Sequence, residues 1–221
     1  MQDQLYILPI LLFSVVIHEI SHGWMALRLG DTTARDMGRL TLNPIPHIDP
    51  IGSVLVPLFS LFVAGRVMIA WAKPVPVNPL NFSNMRRDDI LVSVVGPLSN
   101  FVLSFACTII FIILKKIEPL LPDSIPVLNE ALGFFLKMFL GGISLNIMLA
   151  VFNMIPIPPL DGSHVVASLL PDEMSAKYRS LGFFGIFIIL MLMRWAPFAL
   201  LFREVIGALA YPFELLIELF L

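Results

Sequence analysis

The sequence predicts an all-α, polytopic membrane fold of about four to six transmembrane helices, with a re-entrant hydrophobic hairpin and a small membrane-associated β element. Three observations carry that prediction. Of the 221 residues, 58% are hydrophobic and 14% charged, with a mean hydropathy of +0.91, where ordinary globular domains carry about 25% charged residues. The apolar residues gather into runs near the length of a bilayer crossing, about 20 residues. Most ionisable residues are confined to the short stretches between those runs, which leaves little chain for a soluble domain. One membrane-embedded domain over residues 1–221 is therefore expected. The net charge of −2 offers nothing to nucleic acid, and the lone Cys107 has no partner for an internal disulfide.

The first run, 5–29, has no Lys or Arg ahead of it, so it lacks the basic start of a cleaved signal peptide and reads as a retained span. Residues 31–70 follow as a β-like and re-entrant segment. Within it, the β-branched residues and Gly38 between Asp31 and Leu42 suggest a short hairpin. Segment 51–70, with Gly52, Pro57 and Gly65, suits a re-entrant loop better than a crossing. A re-entrant loop there keeps Arg28, Arg35, Arg39, Arg66, Lys73, Arg86, Arg87, Lys177 and Arg179 on one side, which the positive-inside rule makes cytoplasmic. Residues 71–81 are too rich in proline for a helix and form an extended interfacial loop. A helix over 90–114 follows, with Asp88 and Asp89 placed where the macrodipole favours acids. The fourth run leads from 132 into an Asp-Gly loop ending near 164. Gly141, Gly142 and Ser144 in it suit close helix packing. C-terminal helices fill 181–221, the last of them oddly acidic through Glu204, Glu214 and Glu218.

Chemistry concentrates in His18-Glu19-Ile20-Ser21-His22, inside the first run. Residues i and i+4 of a helix share a face, so the two imidazoles can bind one Zn²⁺ while Glu19 addresses a water that the metal activates. A carboxylate deep in a bilayer costs roughly 2.5–3.5 kcal/mol on insertion scales, which argues for a purpose. Catalytic zinc takes three protein ligands as a rule. The third candidate is Asp161, where Pro156, Pro158 and Pro159 break the helix and Gly162 permits a tight turn. Zn²⁺ with ionised Asp161 and Glu19 sums to zero charge, which is far easier to hold away from water than an unpaired ion. His47 and His164 are rival ligands by chemistry. Both sit in loop-like sequence, and His47 is assigned a substrate or gating role.

Taken together, HEISH in the first span, Gly96-Pro97-Leu98-Ser99-Asn100 in a later one, and Asn-x-x-Pro-x-x-x-x-Asp-Gly at 153–162 resemble the site-2 protease family over most of the chain. The resemblance implies that His18, His22 and Asp161 ligate zinc, one ion per chain, that Glu19 is the catalytic base, and that Asn153 assists substrate or oxyanion binding. It makes Gly96, Pro97 and Asn100 markers that shape a helix. It implies a multi-pass protein of the cell membrane whose partners are the bilayer and other membrane-spanning proteins, cut in or near their transmembrane segments. The active site then lies in the membrane, nearer the cytoplasmic side. Many relatives carry a PDZ domain between the two halves of the site, and no stretch here is long or polar enough for one. An edge strand near Thr41 and Leu42 is expected to hold the unwound substrate.

Two other classes fit the composition: a small transporter or metal-handling protein, and an inactive scaffold. A transport pathway spreads polar groups over several spans, whereas the strongest ones here fall at two places able to form one site. Intact His18, Glu19, His22 and Asp161 argue against the scaffold.

Overall fold

The computed structural model describes residues 6–55, 72–122 and 124–221. Its helices in chain order are α1 (Ile7–Arg28), α2 (Thr33–Asp36), α3 (Met85–Ile117), α4 (Pro126–Asn153), α5 (Asp161–Leu169), α6 (Asp172–Arg179), α7 (Gly185–Arg194) and α8 (Ala196–Phe220). Of these, α1, α3 and α4 are long and apolar enough to cross a membrane. A fourth crossing follows if α7 and α8, which meet at 89°, act as one bent span. The chain is thus a multi-pass membrane protein, at the low end of the expected count among the described residues. Most of the expected re-entrant segment, residues 56–71, lies outside them.

Helix α1 runs without a break until Gly30, whose φ of +105° only glycine adopts without strain, and there the chain turns away. Helix α3 starts earlier than expected. Asn84 caps it by accepting from the Arg87 N–H at 3.1 Å, and Asp88 answers by accepting from the Asn84 N–H at 2.9 Å. The core joins α1, α3 and α4 through Ile10, Cys107, Met138, Ile143 and Ile147. Gly142 permits this approach, since a Cβ there would meet Ile10 at 2.9 Å and the Cys107 sulfur at 3.0 Å. Gly141 is equally tight, at 2.8 Å from Ile7. Ser144 faces outward, so it has no part in the packing assigned to it from sequence. A polar seam continues the interface: Ser104 Oγ donates to the Ile143 carbonyl at 3.1 Å, linking α3 to α4.

The β hairpin expected over 31–42 is corrected by the structure: no strand occurs among the described residues, and α2 occupies the middle of that stretch. The cause is local. The Asp31 carboxylate accepts from both the Thr33 N–H (3.1 Å) and the Thr33 hydroxyl (2.5 Å), which starts a helical turn where β propensity alone favours a strand. The same carboxylate accepts from the Asn78 N–H and from Asn81 Nδ2, both at 2.7 Å. The chain therefore leaves α1 and re-enters α3 at the same end of the bundle. The proline-rich stretch after residue 71 forms neither helix nor strand over residues 72–78, and one turn follows at Pro79–Asn81.

Candidate metal centre

The site forms where α1 and α3 run antiparallel and the start of α5 closes over them. His18 and His22, one turn apart on α1, bring their Nε2 atoms within 3.1 Å of each other. Asp161, the first residue of α5, places Oδ2 3.1 Å from His18 Nε2 and Oδ1 3.4 Å from His22 Nε2. One ligand atom from each of the three residues lies within 4.8 Å of the others, and both histidines are buried.

Each ring is held from behind by α3. His22 Nδ1 lies 2.7 Å from the Val92 carbonyl, which can only accept, so Nδ1 carries the proton. His18 Nδ1 lies 2.6 Å from Asn100 Oδ1. The orientation of that amide follows from a chain that ends on another carbonyl: Asn146 Nδ2 donates to Gly142 O at 2.9 Å, and Asn100 Nδ2 donates to Asn146 Oδ1 at 2.9 Å. Asn100 Oδ1 is thus an acceptor, and His18 also carries its proton on Nδ1. In the neutral rings both Nε2 atoms are then lone pairs, aimed at each other and at a carboxylate. The buried Asp161 Oδ2 makes no hydrogen bond despite its nearness to His18. Three convergent acceptors with no proton between them are mutually repulsive until a cation joins them. The donor set of two imidazoles and one carboxylate suits zinc.

Glycines set the clearances. Val92, Gly96 and Asn100 occupy successive turns of α3, and a Cβ on Gly96 would lie 2.4 Å from His22 Nε2 and 2.8 Å from His18 Cε1. Gly162 serves close approach instead of the tight turn expected, since a Cβ there would sit 2.2 Å from the Met154 carbonyl that ends α4. The α5–α6 unit that presents Asp161 is tied to the start of α3. Asp89 accepts from Arg179 Nη2 at 2.7 Å and from Ser168 Oγ at 3.1 Å, with His164 Nδ1 at 3.3 Å, while Arg86 pairs with Asp172 at 2.6 Å.

Glu19 follows His18 on α1, its Oε2 accepting from the Val75 N–H at 2.7 Å. The structure thus brings His18, His22 and Asp161 together, with Glu19 next to His18 on α1. Three further residues singled out from sequence make no hydrogen bond or ion pair to these residues among the described ones. His164 joins the Asp89 cluster. Asn153 Nδ2 donates to the Leu149 carbonyl one turn back, at 3.0 Å. His47 is buried in the loop after α2, with Nε2 3.0 Å from the Thr41 carbonyl. Sequence reasoning missed Val92 and Asn146 and gave Asn100 and Asp89 other roles, a helix-shaping marker and a helix-dipole acid. The signal for Asn100 and Asn146 was present as polar residues inside apolar runs.

A bundle of membrane helices that brings two buried histidines and an aspartate to one point has the donor set of a metal site in a multi-pass membrane protein. Comparison with known proteins narrows the class. The model of peptidase family M50 matches residues 125–193. "Putative zinc metalloprotease YwhC" of Bacillus subtilis (strain 168) is 36% identical over 187 residues, 85% of this chain and 79% of that protein. "Putative zinc metalloprotease Rip2" of Mycobacterium tuberculosis (strain ATCC 25618 / H37Rv) is 31% identical over 170 residues, 77% of this chain and 58% of that protein. No solved structure matches the chain. The chain belongs to peptidase family M50, the site-2 protease family, and is a metalloprotease.

Proposed function

We propose that this metalloprotease cuts other membrane proteins in or beside their transmembrane segments, with one Zn²⁺ per chain held by His18 Nε2, His22 Nε2 and Asp161. The observation that carries the reading is the convergence of two donors on α1, a helix of membrane-spanning length packed against a second one, with Asp161 at the start of the short α5. A substrate helix shares the bilayer with such a site and can approach it laterally. Bound zinc polarises a scissile carbonyl and acidifies water, lowering its pKa toward about 7. Glu19 would be the residue that accepts and returns a proton there, with Oε2 held by the Val75 N–H and Oε1 making no hydrogen bond among the described residues. Val92 and Asn100 keep both imidazoles in the Nδ1–H tautomer that ligation needs.

For Asn153 and His47 the reading assigns contacts to bound substrate, since among the described residues neither hydrogen-bonds to His18, His22 or Asp161. The basic residues Arg28, Arg86, Arg87 and Arg179 lie on helix ends at the end of the bundle nearest the site, which by the positive-inside rule favours the cytoplasmic face. The test compares purified wild type with Glu19→Gln on a panel of single-span substrates, measuring zinc on both. Chelator-sensitive cleavage by wild type alone, with equal zinc in both proteins, supports the reading. Zinc loss in a folded Glu19→Gln protein contradicts the roles assigned.

A further inference from the structure

We propose that Arg39 is a positioning residue for Glu19, acting through the peptide group that joins Pro74 to Val75. The inference rests on the reading of Glu19 as the proton-transfer group. Arg39 Nη2 donates to the Lys73 carbonyl at 2.9 Å and to the Pro74 carbonyl at 3.3 Å. The other end of the Pro74–Val75 peptide is the N–H that donates to Glu19 Oε2 at 2.7 Å. One peptide group thus lies between a guanidinium and a carboxylate, oxygen toward the cation and N–H toward the anion. Donation to a peptide oxygen polarises its N–H and strengthens the bond that N–H makes in turn.

Burial makes this arrangement pointed. Arg39 is only 6% exposed, and among the described residues no carboxylate lies within 4.0 Å of its guanidinium. A buried cation facing only backbone carbonyls is costly unless its charge is balanced nearby, and Glu19 supplies that balance across the peptide. The surrounding backbone holds the linkage in place. The Arg39 N–H donates to the Ala34 carbonyl at 2.8 Å, and the Lys73 N–H donates to the His47 carbonyl at 2.9 Å. Gly23, one turn beyond Glu19 on α1, admits the layer: a Cβ there would meet Leu40 at 2.5 Å, Val75 at 2.9 Å and Ala34 at 3.2 Å. The buried His47 therefore helps to fix the same segment, 28 residues of sequence away from the base it supports.

A double-mutant cycle on the full-length protein in detergent tests the linkage, with zinc content read beside kcat and KM on a single-span substrate. Arg39→Met removes the guanidinium, and Val75→Pro removes the N–H. Each is expected to lower kcat about 10- to 100-fold, the usual consequence of a catalytic group displaced by about 1 Å, with KM and zinc content unchanged. The double variant is expected to lose no more than the worse single one, because both cut the same linkage. Arg39→Lys, which keeps the charge and a donor, is expected to restore most of the rate, and Arg39→Gln, which loses the charge, takes the place of Arg39→Met in the cycle should Arg39→Met fail to fold. Unchanged kcat, a loss confined to KM, reduced zinc, or losses that multiply in the double variant would each overturn the proposal. Glu19→Gln measured in parallel separates the two levels. If it cleaves, the assignment of the base fails and the inference with it; if it is inactive with zinc retained while Arg39→Met cleaves normally, the inference alone fails.

Discussion

Gly96→Ala is expected to damage the metal centre without touching a ligand. The added Cβ would stand 2.4 Å from His22 Nε2, 2.5 Å from His22 Cε1 and 2.8 Å from His18 Cε1, where ordinary contacts between carbon atoms are about 3.5–4.0 Å. The rings must therefore yield by about 1 Å. They have little freedom to do so, because α3 holds His22 through Val92 at 2.7 Å and His18 through Asn100 at 2.6 Å, one turn on either side of Gly96. Retreat from the new methyl group stretches both bonds and swings both Nε2 atoms out of line. Disturbing the hydrogen bonds behind metal-ligating histidines costs about 10- to 100-fold in affinity, or about 1.4–2.8 kcal/mol. Competition for zinc against a chromophoric chelator, with purified protein in detergent, measures this directly. Gly133→Ala on α4 is the control, since a Cβ there meets nothing within 4 Å and its affinity should equal that of wild type. Wild-type zinc affinity in a folded Gly96→Ala protein would refute the account of how α3 sets the histidines.

Asn100→Ala is expected to weaken zinc by about 10-fold or more by freeing the His18 tautomer, and Asn146→Ala by less because it acts one bond further away; the same competition reads both. Gly162→Ala, which drives a methyl group into the Met154 carbonyl at 2.2 Å, should displace Asp161 and lower zinc occupancy more than it lowers the melting temperature. Asp31→Ala should destabilise the protein by about 1–3 kcal/mol in thermal melts, because the Asn78 N–H, Asn81 Nδ2 and Thr33 lose their acceptor. Burial raises the Asp31 pKa, but its hydrogen bonds to Thr33, Asn78 and Asn81 outweigh burial and hold it below the ordinary carboxylate value. The stability from this group is thus present above its unfolded pKa near about 3.9 and lost as pH falls through the folded one. Asp31→Asn should flatten the acid limb of melting temperature against pH, and an unchanged limb would contradict the assignment.

The candidate ligands His18, His22 and Asp161 were legible in the sequence because their constraints are local. His18 and His22 share a helix face by spacing alone, and ionisable groups inside an apolar run demand a reason. The loop at 153–162 announced itself through three prolines and an Asp-Gly pair. The supporting contacts were not legible, since they depend on which turns of distant helices meet. His18 finds Asn100 82 residues away and His22 finds Val92 70 residues away. Val92 acts through its backbone carbonyl, so its side chain gave no hint at all. The reading of 31–42 as a hairpin failed for the opposite reason. Its β-branched residues favour a strand in isolation, but Asp31 binds the Thr33 backbone and hydroxyl and turns the chain into α2. Asp89 was read as a helix-dipole acid, and its pairing with Arg179 and His164 emerges only once α5 and α6 pack on α3.

The most direct test of the central claim is to locate the cut. Wild-type protein and Glu19→Gln are reconstituted into vesicles with a single-span substrate, with and without chelator, and the products are weighed by intact mass spectrometry. The account predicts chelator-sensitive products from wild type alone, with the scissile bond in or at the edge of the substrate's transmembrane segment. Cleavage confined to soluble loops, or equal cleavage by Glu19→Gln, would contradict it.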